Sequence, residues 1–230
     1  MTEPLLSLES IRYAWPGDTQ PVIDLAAFEL AAGEKLFLFG PSGSGKSTLL
    51  GLIGGLIRPD AGRIHCDGVD LTELPGARRD RFRADRLGVI FQQFNLLPWL
   101  SVRANVALPC RFSRARARRA GALDTAVERL LAAMDLERDL WERRADSLSV
   151  GQQQRVAAAR ALIGAPPLIL ADEPTSALDT DRREAFLELL FEQTRAAGSA
   201  LLFVSHDRGL AGHFDRQLSL PDINRLEAAA

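Results

Sequence analysis

Gly40-Pro41-Ser42-Gly43-Ser44-Gly45-Lys46-Ser47-Thr48 is the stretch whose reading decides the fold. It satisfies Gly-x-x-x-x-Gly-Lys-Ser/Thr, the pattern of a phosphate-binding loop, at every required place. Lys35-Leu36-Phe37-Leu38-Phe39 before it is short and apolar, as a buried strand is, and Thr48 to Ile53 after it has helical potential. Three glycines let the backbone curl around phosphate oxygens and turn its N–H groups inward, where side chains would obstruct. The following helix adds the positive end of its dipole. Lys46 then reaches the β- and γ-phosphates, and the Ser47 hydroxyl suits Mg²⁺, a hard cation that prefers oxygen. Agreement at all these positions, between a strand and a helix, favours a nucleotide site over a plain glycine-rich turn.

Outward from this loop, composition sets the bounds. A chain of 230 residues, 47% hydrophobic and 25% charged, can bury one substantial core or two closely joined lobes. A net charge of −2 and a pI near 6.0 give the surface as a whole no appetite for nucleic acid. Of the 28 basic residues, 26 are arginines; Lys35 and Lys46 are the lysines. Cys66 and Cys110 lack metal spacing and fit small buried residues in a reducing compartment. Met1 to Ser10 shows no secretory pattern, and the greasy stretch Leu49 to Ile57 is interrupted by glycine and too short to span a bilayer. Any membrane role is therefore expected to run through a partner.

Leu5 to Ile11 and Val22 to Leu30 are expected strands around the turn Pro16-Gly17-Asp18, and Tyr13 and Trp15 there serve either hairpin packing or adenine stacking. Arg63 to Cys66 is a short strand, and Leu87-Gly88-Val89-Ile90-Phe91 is another. Gln92 and Gln93 follow it, then Phe94-Asn95-Leu96-Leu97-Pro98-Trp99-Leu100, which suits a switch or docking segment; the alternative is a buried, satisfied amide. From Ser101 to about Leu140 the spacing is helical. Arg111, Arg114, Arg116, Arg118 and Arg119 in it read as a solvated helix face, or else as a contact for anionic lipid headgroups.

Ser149 is a plausible N-cap for a second helix through Leu162, stopped by Pro166-Pro167. Leu168-Ile169-Leu170-Ala171-Asp172-Glu173 is a core strand ending in two carboxylates, a place for Asp172 to hold Mg²⁺ and for Glu173 to take a proton from water. Glu184 to Thr194 is a helix, and Ala200 to Val204 is one more strand of parallel type, ending at Ser205-His206-Asp207. A histidine there, on the expected sheet edge of Glu173, can contact a γ-phosphate.

These blocks, in this order and at these separations, resemble the nucleotide-binding subunit of ABC transporters over almost the whole chain. Beyond the phosphate loop, the resemblance is carried by Gln92 after Ile90-Phe91, the signature Leu148-Ser149-Val150-Gly151-Gln152, the strand Ile169 to Glu173, Pro174-Thr175 with the D-loop Ser176-Ala177-Leu178-Asp179, and His206. It implies an α/β P-loop NTPase, with a RecA-like core and antiparallel β-subdomain over 1–91 and 165–230, and an inserted helical subdomain over 92–164. By spacing from Leu8 and Ile11, Trp15 takes the adenine-stacking place. Val150 departs from the family, which usually has glycine there. A β-branched residue excludes positive φ, so a geometric cost is expected at this site.

The resemblance further implies a homodimer in which Gly40 to Thr48, Asp172 and Glu173 of one subunit face Ser149 to Gln152 of the other, around ATP and Mg²⁺. The metal falls to Ser47, Gln92 and Asp172; Glu173 activates water; His206 and Gln92 contact the γ-phosphate or that water; and Asp179 links the two sites. Motion passes through Gln92 to Trp99 into integral-membrane permease subunits, with Phe94, Leu96, Leu97 and Trp99 gripping. The protein would then sit peripherally on the cytoplasmic face of the inner membrane. The phrases Phe91 to Pro98 and Gln152 to Arg155 look most like the branch serving macrolide exporters, lipoprotein release and cell-division complexes. The rivals are an importer ATPase, a soluble ABC ATPase acting on DNA or ribosomes, and a small P-loop kinase. One motif set and a compact insert argue against the second, and the signature block against the third. Leu226 to Ala230 reads as a natural helix end or an added tail.

Overall fold

In the computed structural model, which describes residues 3–226, the chain runs β1 (Leu6–Tyr13), β2 (Ile23–Leu30), β3 (Lys35–Phe39), α1 (Lys46–Ile53), β4 (Ala61–Cys66), β5 (Val69–Asp70), α2 (Gly76–Arg86) and β6 (Leu87–Ile90). It continues with α3 (Val102–Phe112), α4 (Arg114–Ala120), α5 (Leu123–Ala133), α6 (Val150–Leu162), β7 (Leu168–Asp172), α7 (Thr180–Ala197), β8 (Ala200–Ser205), β9 (Arg216–Ser219) and α8 (Leu220–Ile223). Two compact units form, Met1–Arg83 with Ala200–Ala230, and Ala84–Ser199. The tail beyond Leu226 lies outside the described residues.

In the first unit β1 pairs antiparallel with β2 and β4. Leu6 and Leu8 alternate inward, but Ile11 and Tyr13 are also buried, a change of parity that strict alternation forbids. Ser10 resolves it: φ is 51° there and the register with β4 shifts between Glu9 and Arg12, so a bulge resets which face is inward. β3 lies parallel to β8 on one side and to β9 on the other. Its Leu36, Phe37 and Leu38 are wholly buried. Phe37 packs against Phe203 at 6.1 Å and Phe214 at 5.1 Å between ring centroids. Each such side chain contributes about 1.5–3 kcal/mol by leaving water, which makes β3 the fixed bed of the loop that follows. Asn224 ties the antiparallel layer to the C-terminal segment, its Oδ1 accepting from Asp24 N at 2.7 Å and its Nδ2 donating to Val22 O at 3.0 Å.

The second unit is built around α6, whose Val156 to Leu162 are all buried. Small side chains allow close approach on the β6 side: a Cβ on Gly88 would lie 2.3 Å from Ala161 O, so only glycine fits there. β6 and β7 pair in parallel, and α3 and α5 also pack on α6.

The arginine cluster is not one solvated face. Arg111, Arg114 and Arg118 are exposed, but Arg116 is 2% exposed and donates to Ile163 O at 2.7 Å, Leu87 O at 3.0 Å and Ala161 O at 2.6 Å. Arg119 caps Gly164 O at 2.7 Å. The chain leaving α6 turns sharply, with φ of 70° at Gly164 and 44° at Ala165, and its carbonyls need donors that a forked guanidinium supplies. Burial pulls Arg116 down from the usual arginine range to about 10, still cationic at neutral pH. Cys66 and Cys110 are both buried.

Candidate nucleotide site

The phosphate loop leaves β3 at Gly40 and enters α1 at Lys46. Gly45 sits at φ 96°, and a Cβ there would stand 3.0 Å from Ile23 Cδ1 and 3.2 Å from Val22 O. The loop is thus pressed against the start of β2, and a side chain at Gly45 would be strained twice over. Lys46 is 8% exposed, and its Nζ donates to Gly40 O at 2.8 Å and Pro41 O at 2.9 Å. No carboxylate among the described residues pairs with this ammonium. A buried cation held only by carbonyl dipoles is an anion site by its own electrostatics. Ser44 Oγ, buried with no hydrogen-bond partner among the described residues, adds an unspent donor in the same loop. These groups fit phosphate.

Two further residues of the first unit converge there. Phe39 is in register with Ser205 across parallel strands, so Gly40 and His206 emerge at the same end of neighbouring strands. Arg208 stacks over the Phe39 ring at 4.5 Å, holding the chain beyond His206 against the strand before the loop. Trp15 is 44% exposed, edge-on to the buried Tyr13 at 5.3 Å. Tyr13 lies opposite the β2 start that Gly45 adjoins, its carbonyl accepting from Val22 N at 2.8 Å. Hairpin packing therefore accounts for Tyr13 and leaves the indole of Trp15 available.

In the second unit Ile90 is in register with Ala171, so Gln92 leaves β6 at the level where Asp172 and Glu173 leave β7. Gln92 is exposed, which removes the buried-amide reading. Glu173 has φ 47°, a left-handed conformation that costs a non-glycine residue about 1–2 kcal/mol and bends the chain off the β7 line. Ser176 and Ala177 are exposed and Leu178 is buried; Asp179 caps α7, its side chain accepting from Arg182 N at 3.0 Å.

Ser149 caps α6 in a complete capping box: Ser149 Oγ accepts from Gln152 N at 3.3 Å, and Gln152 Oε1 accepts from Ser149 N at 3.0 Å. Leu148 is buried beneath this start. Val150 is the first helical residue and has no positive φ. The conformational cost expected of a β-branched residue is absent, because position 150 opens a helix instead of a left-handed turn. Beside Ser149, Gly151 and Gln152, a cavity of about 250 Å³ is lined also by Gln154, whose amide is 1% exposed and has no hydrogen-bond partner among the described residues.

The family profile described as ABC transporter matches residues 23–176, a span from β2 to the segment after β7. The chain belongs to the ABC transporter family. It is an ABC ATPase subunit of a transporter and binds ATP. An uncharacterised ABC transporter ATP-binding protein of Mycobacterium tuberculosis is 37% identical to this ABC protein over 97% of the chain and 92% of its own length. A lipoprotein-releasing system ATP-binding protein, LolD, of Anaeromyxobacter dehalogenans is 43% identical over 95% of the chain and 91% of its own length. The dimeric post-hydrolysis structure of the cassette MJ0796, bound to ADP and phosphate, superposes with a TM-score of 0.80 at 33% identity, covering 93% of each chain. MJ0796 is from Methanocaldococcus jannaschii.

Among the buried polar side chains of this ABC subunit that the sequence does not single out are Arg160, Asn105 and Gln154. Arg160 is 9% exposed and donates through Nη1 to Asn95 O at 2.6 Å and through Nη2 to Phe94 O at 2.5 Å. Asn105 is wholly buried, accepts from Leu97 N at 2.9 Å and donates to Leu97 O at 3.0 Å and Ser101 O at 3.1 Å. Each of the three sits in a stretch whose pattern reads simply as helix, and nothing local distinguishes an inward arginine from an outward one. Phe94, expected to grip a partner, is 8% exposed and packs inward; Trp99, 64% exposed, is the outward aromatic of this segment.

Proposed function

We propose that two copies of this chain close over two ATP molecules, with Gly40 to Thr48 of one copy set against Leu148 to Gln152 of the other. The observation that carries this is the buried Lys46 ammonium, which has two carbonyls around it and no carboxylate. Family membership supports the rest, as does the dimer formed by MJ0796.

In this reading Lys46 and the N–H groups from Ser42 to Thr48 hold the β- and γ-phosphates, and Trp15 stacks on the adenine. Ser47, Gln92 and Asp172 offer the hard oxygens Mg²⁺ requires. Among the described residues, no group of three or more His, Cys, Asp or Glu could hold a metal ion by itself. Bound Mg²⁺ would neutralise charge on the phosphates. Glu173 accepts a proton from the attacking water, while His206 and Gln92 hold that water or the γ-phosphate in line. Ser176 to Asp179 link the two sites. The exchange of ATP for ADP is then felt in the segment Gln92 to Trp99, where permease subunits dock.

The chain powers movement of envelope components, of the lipoprotein, lipid or macrolide kind, from the cytoplasmic face of the inner membrane. Similarity to LolD supports this branch. No described helix is long and apolar enough to cross a membrane; in this reading, membrane contact runs through the permease. Glu173→Gln is expected to slow hydrolysis by roughly 10²–10⁴-fold with ATP still bound, in line with the worth of a general base; an unchanged rate removes Glu173 from that role. Affinity purification from solubilised membranes is expected to bring a permease with the chain, and recovery wholly with nucleic acid would overturn the transport reading.

A further inference from the structure

The segment after β6 should be loose: it follows a strand end, carries Phe94 at φ 57° and Asn95 at φ 49°, and has no sheet or helix of its own until α3. Two adjacent left-handed residues of this kind persist only where their surroundings hold them. The holder is Arg160, eleven residues into α6, with each terminal nitrogen of its guanidinium on one of the two carbonyls concerned. Arg160 has no acidic partner among the described residues, and burial alone depresses its proton affinity. A buried guanidinium without a counter-ion is expensive, and its whole hydrogen-bonding return is the capture of Phe94 and Asn95. Further along, Asn105 on α3 fixes Leu97 through both its N–H and C=O. By contrast, the side chains of Phe91, Gln92 and Gln93, just before the clamp, are exposed.

We propose that Arg160 is a positioning residue that makes residues 94–101 travel as one body with α6, the helix opened by Ser149, and that it does so beyond what the local turn bonds from Phe94 N to Phe91 O at 3.0 Å and from Asn95 N to Gln93 O at 2.6 Å provide. The proposal rests on the reading above, in which ATP acts at the Ser149 end of α6 and Trp99 meets the permease. A displacement of α6 then reaches the docking face through two hydrogen bonds, with Asn105 carrying it on to Leu97. Arginine is needed for this because its fork spans two successive carbonyls, whereas a lysine ammonium is a single point.

Amide hydrogen exchange of the full chain tests it, with and without a non-hydrolysable ATP analogue and Mg²⁺. Without nucleotide, Arg160→Met is expected to raise exchange in 94–101 by about tenfold or more while 149–155 keeps its rate. Arg160→Lys is expected to fall between the two, and it serves where the methionine variant folds poorly. With the analogue, 149–155 and 94–101 of the native chain are expected to change together; in Arg160→Met, 149–155 still responds and 94–101 does not. Native-like protection of 94–101 in both variants without nucleotide overturns the clamp. A response of 94–101 that still follows 149–155 in Arg160→Met overturns the transmission. Should 149–155 of the native chain ignore the analogue while the nucleotide-free results hold, the clamp stands, and the ATP sandwich and the transmission built on it fall.

Discussion

The phosphate loop, 40–48, and the segment 91–100 are both irregular chain between regular elements, and both contain left-handed residues, yet they are held by opposite means. The first is fixed from within. Lys46 binds the carbonyls of Gly40 and Pro41, six and five residues back, and glycine supplies the left-handed φ at 43 and 45. The second has short turn bonds of its own, Phe94 N to Phe91 O at 3.0 Å and Asn95 N to Gln93 O at 2.6 Å, but its side-chain anchors come from outside, from Arg160 some 65 residues further on and from Asn105 on a neighbouring helix, and its left-handed positions are phenylalanine and asparagine. A loop that binds a constant chemical object can carry its own constraints. On the proposed reading, a loop that passes motion to another chain is tied to the element whose motion it reports.

This contrast can be broken at several points. The largest effect is expected at the internal anchor: Lys46→Ala removes the buried cation of the loop and, if that cation faces the phosphates as proposed, weakens ATP binding on the order of a hundredfold or more, measured by titration calorimetry. Tight binding without Lys46 would mean the loop grips through its amides alone. Next, Asn105→Ala strands the N–H and C=O of Leu97 and should destabilise the fold by roughly 2–4 kcal/mol in urea unfolding, with ATP affinity unchanged. Gly45→Ala, which places a Cβ at φ 96° and 3.0 Å from Ile23, should cost roughly 1–3 kcal/mol and lower ATP affinity as well, because here stability and binding share the same residues. The smallest effect is expected at Val150→Gly: hydrolysis within about twofold of native and a stability loss of about 0.5–1 kcal/mol, since glycine weakens a helix start that valine already fits.

The same contrast explains what could be read beforehand. The phosphate loop, β3, β7, β8 and the Ser149 cap are all legible because each is specified by neighbours within a few residues: an apolar run, a turn of small residues, a hydroxyl three places before a glutamine. α2 was not anticipated, because Gly76–Arg86 is mostly arginine and aspartate around one buried side chain, Phe82, and shows no apolar stripe. The roles of Arg116, Arg160 and Asn105 were out of reach for a different reason. Their partners are backbone carbonyls and, for Asn105, also the N–H of Leu97, groups that nearly every residue has, so no complementary residue type appears elsewhere to announce the pair. In a chain where 26 of 28 basic residues are arginine, the type itself says nothing about burial. The cost expected of Val150 is absent for a reason no single position announces: α6 begins at that residue.

The measurement that bears most directly on the whole account is the mass in solution of Glu173→Gln with and without ATP and Mg²⁺, by light scattering on a sizing column. The account predicts a monomer of 25.1 kDa without nucleotide and a particle of twice that mass with ATP and Mg²⁺, reverting when Ser149 is also replaced by arginine. A protein that binds ATP tightly and stays at 25.1 kDa at every concentration would contradict it.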